Sequence, residues 1–332
     1  LAPPRATARR GGLGEPLVQT ATSDNAFQVV VAGGRLYFGS SVEESVTCLD
    51  VAGGRRLWTF YSEGAVRFAP LSYAGKVYFG SDDGYVYCVD GASGELVWKF
   101  QAAIGKRRII ANGRISSQWP VRTGLAMRDD VVYAACGVIP SEDRGVMAYA
   151  LSAADGEPVW KERLLNHAAG HLLAQDESLL IPTGRSSPRA MKRSDGSGQP
   201  PVLGGREGEG GGSPCLVSGM LMYGPNENGF LKVRPRADEP EQTTGLQGWR
   251  VVADAERIFV LRNDGIHALD KAAFTKALVA SCKAFGSKEE AKERAIQWQQ
   301  RLGLRQLNLK RHQQGRDNPL LLEDMKACTV WN

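Results

Sequence analysis

What most restricts the fold of this chain is a segment that returns after forty residues. GRLYFGSSVEESVTCLDVAGGRRLW, ending at Trp58, is followed by GKVYFGSDDGYVYCVDGASGELVW, ending at Trp98. A third copy, DVVYAACGVIPSEDRGVMAYALSAADGEPVW, ends at Trp160 and carries extra residues before Gly145 and between Phe100 and Trp119. The apolar strand that reads LYFGS in the first copy returns as SLLIPTG at 178–184, as MLMYGP at 220–225 and as RIFVLRNDGIHALD at 257–270, which makes six copies. Self-similarity at such a period marks a supersecondary unit that buries its apolar faces only by stacking on its neighbours.

Each copy reads as strand, tight turn, strand. Tyr78 and Phe79 lead into Ser81-Asp82-Asp83-Gly84, where Asp-Gly suits the positive φ of a two-residue hairpin, and Tyr85–Asp90 returns. Ala92-Ser93-Gly94 then bends the chain into Leu96-Val97-Trp98, and Ala154-Asp155-Gly156 does the same before Trp160. An apolar segment ahead of each pair, such as Phe68-Ala69-Pro70-Leu71, supplies a fourth strand. Four antiparallel strands per forty residues predict an all-β β-propeller, because radial repetition shields most sheet edges. Helical periodicity is nearly missing before Asp270, which excludes a helical solenoid. Six blades are expected between Leu17 and Asp270, as part of a seven- or eight-bladed ring, with residues 1–16 as an extended tail. Trp58, Trp98 and Trp160 share one repeat position, and each ring is expected to wedge between blades with its indole N–H bonded.

Three segments depart from the repeat. SDGSGQPPVLGGREGEGGGS, at 194–213, has little to bury and reads as a mobile loop; it lacks the GxxxxGKS/T spacing of a phosphate cradle. After Asp270 the period becomes helical. Phe274, Leu278, Cys282 and Phe285 fall on one face, and Ser287-Lys288-Glu289-Glu290 caps a second helix carrying Trp298 and stopped by Gly303. A C-terminal helical insertion with a basic linker is therefore expected over 271–327. The ending MKACTVWN places Trp331 as the start of a further blade at 328–332.

Composition narrows the function. A net charge of +5 from interspersed signs gives no nucleic-acid footprint. No run of about 18 apolar residues exists, so no membrane span is expected. The opening LAPPRATARRGGLGEP reads as a trimmed or processed start. The six cysteines form no CxxC pair, and Cys48 and Cys88 occupy equivalent strands as small hydrophobes. His167 and His171 have a four-residue spacing, but His171 aligns with an inner strand and no Glu follows His167, so no metal site is expected. His267 and His312 stand alone. No GxSxG elbow or triad order is present, and no catalytic residue is assigned.

CVDGASGELVWKF and ALSAADGEPVWKE resemble the quinoprotein, or PQQ-like, repeat, in which an Asp-x-x-Ser/Thr-Gly-Lys/Glu turn precedes an apolar residue and Trp. ANGRISSQWPVRTG, VIPSEDRGVMAYALSAADGEPVW and LLIPTGRSSPRA are similar to bacterial PQQ-binding-like propellers common in planctomycetes. The resemblance implies an exported, periplasmic protein, one module of a larger chain, whose fold also serves scaffolds of outer-membrane protein assembly. It also implies, as the alternative, a PQQ- or other quinone-dependent dehydrogenase. Enzymes of that kind carry an adjacent Cys-Cys disulfide and calcium ligands. This sequence has neither pattern. A non-catalytic binding or assembly scaffold with protein partners is therefore the expected function.

One ligand position follows from the repeat. Eleven residues before Tyr78 and Tyr133 stand Arg67 and Arg122, which would open consecutive inner strands at the mouth of the central channel. Arg114 and Arg185 are the expected neighbours. Such forks suit a small anionic ligand, a carboxylate or phosphate; the competing expectation is that each arginine caps carbonyl groups or pairs with an Asp of the next blade.

Overall fold

A computed structural model describes residues 28–111, 114–137, 145–164, 167–183, 188–198, 215–217, 220–223, 230–234, 242–248, 250–262, 265–276 and 329–331. The chain divides into two compact units, residues 1–181 with 191–199, and residues 182–190 with 200–332.

The first unit begins with a four-stranded antiparallel sheet, β1 (Val29–Ala32), β2 (Arg35–Ser40), β3 (Ser45–Asp50) and β4 (Arg56–Tyr61), joined in chain order. A second follows, β5 (Leu71–Tyr73), β6 (Lys76–Gly80), β7 (Tyr85–Asp90) and β8 (Leu96–Gln101). Next comes a separate two-stranded hairpin, β9 (Arg108–Ala111) with β10 (Arg114–Ser117). β11 (Thr123–Gly124) then leads into a third four-stranded sheet, β12 (Ala126–Arg128), β13 (Val131–Cys136), β14 (Val146–Ser152) and β15 (Pro158–Leu164). β16 (Gly170–His171) pairs in parallel with β11, and β17 (Leu173–Ala174), β18 (Ser178–Ile181) and β19 (Arg189–Lys192) form a three-stranded sheet. In this unit the first strands run side by side, β1 beside β5, β5 beside β12 and β12 beside β17, the arrangement of propeller blades about an axis.

The second unit holds two more four-stranded sheets. One is β20 (Cys215–Val217), β21 (Met220–Tyr223), β22 (Phe230–Arg234) and β23 (Gln242–Gln247). The other is β24 (Arg250–Ala253), β25 (Arg257–Arg262), β26 (Gly265–Asp270) and β27 (Thr329–Trp331). Strand β20 lies beside β24.

The protein is thus an all-β propeller with antiparallel blades. The expectation of six four-stranded blades, within a ring of seven or eight, is corrected: five four-stranded blades are seen among the described residues, and the fourth repeat supplies only a three-stranded sheet. Trp331 does not open a further blade. The backbone places it opposite Ala268, which faces Phe259, so β27 closes the last sheet. The same register row appears as Tyr37–Cys48–Trp58, Tyr78–Cys88–Trp98 and Tyr133–Ala150–Trp160. The expected C-terminal arm is accordingly an insertion between the third and fourth strands of that sheet. Residues 271–276 are helical with Phe274 buried, and the rest of the arm lies outside the described residues.

Alternation along the strands explains where the core sits. In β6 and β7, Val77, Phe79, Tyr87 and Val89 pack toward the first sheet with Tyr37, Val46 and Trp58. The intervening Tyr78, Val86 and Cys88 pack toward the third sheet with Val132, Ala134 and Tyr149. Both faces of a blade are therefore apolar, and the core is a series of seams between blades rather than one interior. A third seam joins Tyr133, Ala148 and Val146 to Leu179, Ile181 and Met191. In the second unit Met222, Leu231 and Val233 pack on Val251, Ile258 and Val260.

The turn between third and fourth strands repeats bond for bond. Gly54, Gly94, Gly156 and Gly196 donate their N–H to Asp50, Asp90, Ser152 and Lys192, whose own N–H groups reach Arg55, Glu95, Glu157 and Ser197. Each of these glycines has positive φ, from 66° to 79°. The last turn takes Ser194–Ser197 out of the segment expected to be a mobile loop; residues 199–213 lie outside the described residues. Asp90 accepts the N–H of Ala92 and Ser93 and the Ser93 hydroxyl, bonds that hold its carboxyl below the usual range.

On these turns sit the tryptophans. Trp58 Nε1 donates to Gly91 O at 3.2 Å, Trp98 Nε1 to Ala153 O at 3.2 Å and Trp160 Nε1 to Arg193 O at 2.7 Å, each in the next repeat. A Cβ on Gly94, Gly156 or Gly196 would come within 2.7–2.8 Å of the facing indole, so only glycine lets the ring lie flat on the turn. Tyr37 and Tyr78 share the acceptors of Trp58 and Trp98. Trp98→Ala removes ring, bond and seam contacts together and is expected to cost about 3–5 kcal/mol in urea denaturation; a loss under about 1 kcal/mol would contradict this account of the seam.

Candidate functional site

Two-residue hairpins do occur, but between first and second strands. Gly33-Gly34, Ala74-Gly75 and Asp129-Asp130 all have positive φ at both positions. Ser81–Gly84 is different from the expected tight Asp-Gly turn. It is a four-residue loop in which Gly84 N bonds Ser81 O and only Gly84 has positive φ. It is also buried, because the chain on either side uses it as a hub. Asp82 N donates to Ala65 O, Ser117 N to Asp82 O and Val121 N to Ser81 O.

The two carboxyls of this loop are put to separate uses. Asp82 meets both predicted arginines. Arg67 donates from Nε at 2.8 Å and Nη2 at 2.7 Å to Oδ2, and Arg122 donates from Nε to Oδ1 at 3.1 Å and from Nη2 to Oδ2 at 3.0 Å. The Asp82 side chain is 3% exposed and the arginine side chains 29% and 24%. The repeat does bring the two forks together, and the anion between them is the chain's own. Neither residue opens an inner strand: Arg67 lies four residues before β5, and Arg122 precedes β11. Arg114 is turned elsewhere, its Nη1 3.1 Å from Glu44 Oε1, and Arg185 lies outside the described residues.

Asp83 faces the other way. Its carboxyl accepts the Tyr87 hydroxyl at 2.6 Å, Tyr85 N at 2.9 Å and Glu63 N at 3.1 Å, while burial pushes it above the ordinary carboxylate range despite those bonds. Burial and the Asp83 carboxyl likewise hold the Tyr87 phenol protonated.

Among the described residues the histidines and cysteines form no centre. His171, in β16, packs edge-on against Phe68 with ring centroids 5.0 Å apart and closes over Gly124. His167 is in irregular chain rather than on a helix. Cys48, Cys88 and Cys136 are buried and unbridged; burial pushes the Cys88 thiol up to about 11 and raises the other two. Among the described residues no group of His, Cys, Asp and Glu is placed to hold a metal.

The accessible site lies on a feature the repeat does not contain. Between the second and third blades, β9 and β10 pair Arg108 with Ser117, Ile110 with Ile115 and Ala111 with Arg114. Arg108 Nη2 meets Glu63 Oε2 at 2.6 Å and Arg114 meets Glu44, so two ion pairs tie the hairpin to the first blade and its connector. Ser116 Oγ bonds Asp82 O, which seats it on the hub. Lys106, Arg107, Ile109, Ile110 and Ile115 are exposed, Ile110 by 83%. At its base opens a pocket of about 260 Å³ lined by Asp83, Tyr85, Gln101, Ala103, Gly105, Lys106, Arg108 and Ser117. The signal for this hairpin is Asn112-Gly113 between RIIA and RISS, a strong turn pair that the repeat overshadows.

Blades of this register, with tryptophan docked on an Asp-x-x-Ser-Gly turn, define a propeller of PQQ-like repeats. A family profile bearing the description "Outer membrane protein assembly factor BamB" matches residues 14–114 and 83–199, and the chain belongs to that family. No curated protein matches the sequence. BamB from Moraxella catarrhalis is similar in fold at 15% identity and a TM-score of 0.50, over 74% of this chain and 72% of that one. The computationally designed Ika8 protein is similar at 12% identity and a TM-score of 0.53, over 73% and 70%. Quinohemoprotein alcohol dehydrogenase from Comamonas testosteroni is similar at 15% identity and a TM-score of 0.50, over 69% of this chain and 44% of that one, so the chain spans under half its length. No helix among the described residues is long and apolar enough to cross a membrane.

The geometry of the hub makes its own test. Asp82→Ala leaves two like charges facing one another without their counter-ion, and is expected to lower stability by about 2–4 kcal/mol in denaturant titration. A change under about 0.5 kcal/mol would mean that the Arg67 and Arg122 contacts are dispensable.

Proposed function

We propose that this protein is a non-catalytic propeller scaffold of the cell envelope, outside the cytoplasm, that binds another protein or another module of a longer chain through the β9–β10 hairpin. The observation that carries this reading is an inserted, basic and isoleucine-bearing hairpin that leaves its apolar side chains in water while anchored at its base by ion pairs and the Asp82 carbonyl. Membership of a family described by an assembly factor supports a binding role, and the resemblance to exported proteins supports the compartment. The charged cluster of Arg67, Asp82 and Arg122 supports the same reading. Asp82 takes up both arginines, so that cluster serves to join blades, with the one net positive charge left over as a weak site for a small anion.

The test has two arms. A photo-crosslinking amino acid at Ile110, introduced into the full-length protein in its source cells, is expected to give a discrete protein adduct that is lost when residues 108–117 are replaced by a short Gly-Ser link. Purified protein mixed with pyrroloquinoline quinone and calcium is expected to show neither a stoichiometric quinone spectrum nor dye-linked oxidation of alcohols or sugars. Bound quinone with turnover, or no adduct at Ile110, would overturn the proposal in favour of the dehydrogenase reading or of a different binding face.

A further inference from the structure

Because β9 and β10 are paired strands, residues directly opposite one another project from the same side of the hairpin, and so do residues two apart along a strand. Arg108 and Ser117, which line the pocket, therefore share a face with Ile110 and Ile115. That face joins two surfaces of unlike chemistry, a charged pocket and an exposed isoleucine pair.

The pocket is electropositive in effect. Lys106 and Arg108 line it, and Arg107 is exposed beside them. The acid within it, Asp83, already spends its oxygens on Tyr85, Tyr87 and Glu63. Burial raises the Asp83 carboxyl above its ordinary range, and its hydrogen bonds turn it toward those partners rather than to a ligand. The partner of Arg108, Glu63, has a side chain 68% exposed, and such a solvent-screened pair is readily shared with a second carboxylate. Tyr85 and Gln101, joined by a 3.1 Å hydrogen bond, add a neutral polar wall.

Resting on the scaffold reading, we propose that the partner presents an extended segment in which an acidic residue is separated by one residue from a branched aliphatic one, with the carboxylate in the pocket against Lys106 and Arg108 and the aliphatic side chain on Ile110 and Ile115. The spacing follows from the strand itself: residues i and i+2 of an extended chain are about 6.6 Å apart on one face, the same step that separates Arg108 from Ile110. The basic groups Lys106, Arg107 and Arg108 select against basic segments, and the isoleucine pair discriminates an acidic-apolar segment from a merely acidic one.

The probe is a fluorescein-labelled peptide, Gly-Thr-Glu-Thr-Leu-Thr-Gly, with Gln-for-Glu and Ser-for-Leu versions as controls, titrated with the whole chain and followed by anisotropy. Saturable binding below about 1 mM is expected, with each control weaker by roughly fivefold or more. Lys106→Glu with Arg108→Glu should weaken the parent peptide roughly tenfold and restore tight binding to a Lys-for-Glu peptide, while Ile110→Ser with Ile115→Ser should weaken it without altering its salt dependence. All four substitutions are on exposed side chains, and an unchanged thermal transition verifies folding. No saturation, or equal binding of the Gln control, overturns the proposed motif. Applying the charge reversal to the Ile110 crosslink in cells separates the two claims. Loss of the adduct supports the motif; an adduct that persists rejects the motif and leaves the scaffold standing; no adduct in the parent protein rejects the scaffold reading.

Discussion

Among the described residues, three blades of this protein are each held to the next by an indole lying on a glycine. The fourth strand of one blade offers tryptophan, and the third turn of the following blade offers a left-handed glycine beneath it and a carbonyl beside it. Because the ring, its N–H and the tyrosine beside it all engage one turn, a blade cannot slide along its neighbour without losing three interactions at once. The apolar seams then fill behind this fixed point. Tyr78 and Phe79, adjacent in sequence, go to opposite seams, which is why both faces of β6 and β7 are apolar.

The docking fixes the outer rim and leaves the opposite edge of the blades free to vary. The loop Ser81–Gly84 shows what that freedom is used for. Its main chain binds the connectors before and after the second blade, Asp82 ties Arg67 to Arg122, and Asp83 holds Tyr85 at the pocket wall and accepts the buried Tyr87 hydroxyl. An inserted hairpin seated on this hub inherits its rigidity. A binding surface built in this way needs no alteration of the repeat, since the insertion enters and leaves between blades.

The fold was readable because the repeat states it several times over, and Trp58, Trp98 and Trp160 could be assigned by position alone. Counting failed where side chains stopped marking the period. Thr329–Trp331 lies across a long insertion from the strand it completes, and only backbone register identifies Trp331 as the partner of Ala268. The arginine pair illustrates a different limit. Spacing identifies its members, but Asp82 has the sequence setting of an ordinary turn residue, because nothing local distinguishes an acid facing solvent from one buried between two guanidiniums. Likewise Asn112-Gly113 signals a hairpin, yet its ionic anchors Glu44 and Glu63 lie so far back in the chain that sequence spacing gives no hint of them.

A double-mutant cycle on Trp58 and Gly94 measures the interaction on which the structure rests. In the parent protein Gly94→Ala must accept both a left-handed alanine and a Cβ 2.7 Å from the Trp58 ring, for a combined loss of about 2–4 kcal/mol. With Trp58→Ala the clash disappears and only the backbone cost of about 1–2 kcal/mol remains, so a coupling of at least about 1 kcal/mol is predicted. Losses that add within about 0.5 kcal/mol would show that the indole and the turn of the next blade do not act on one another, and the docking account would fail.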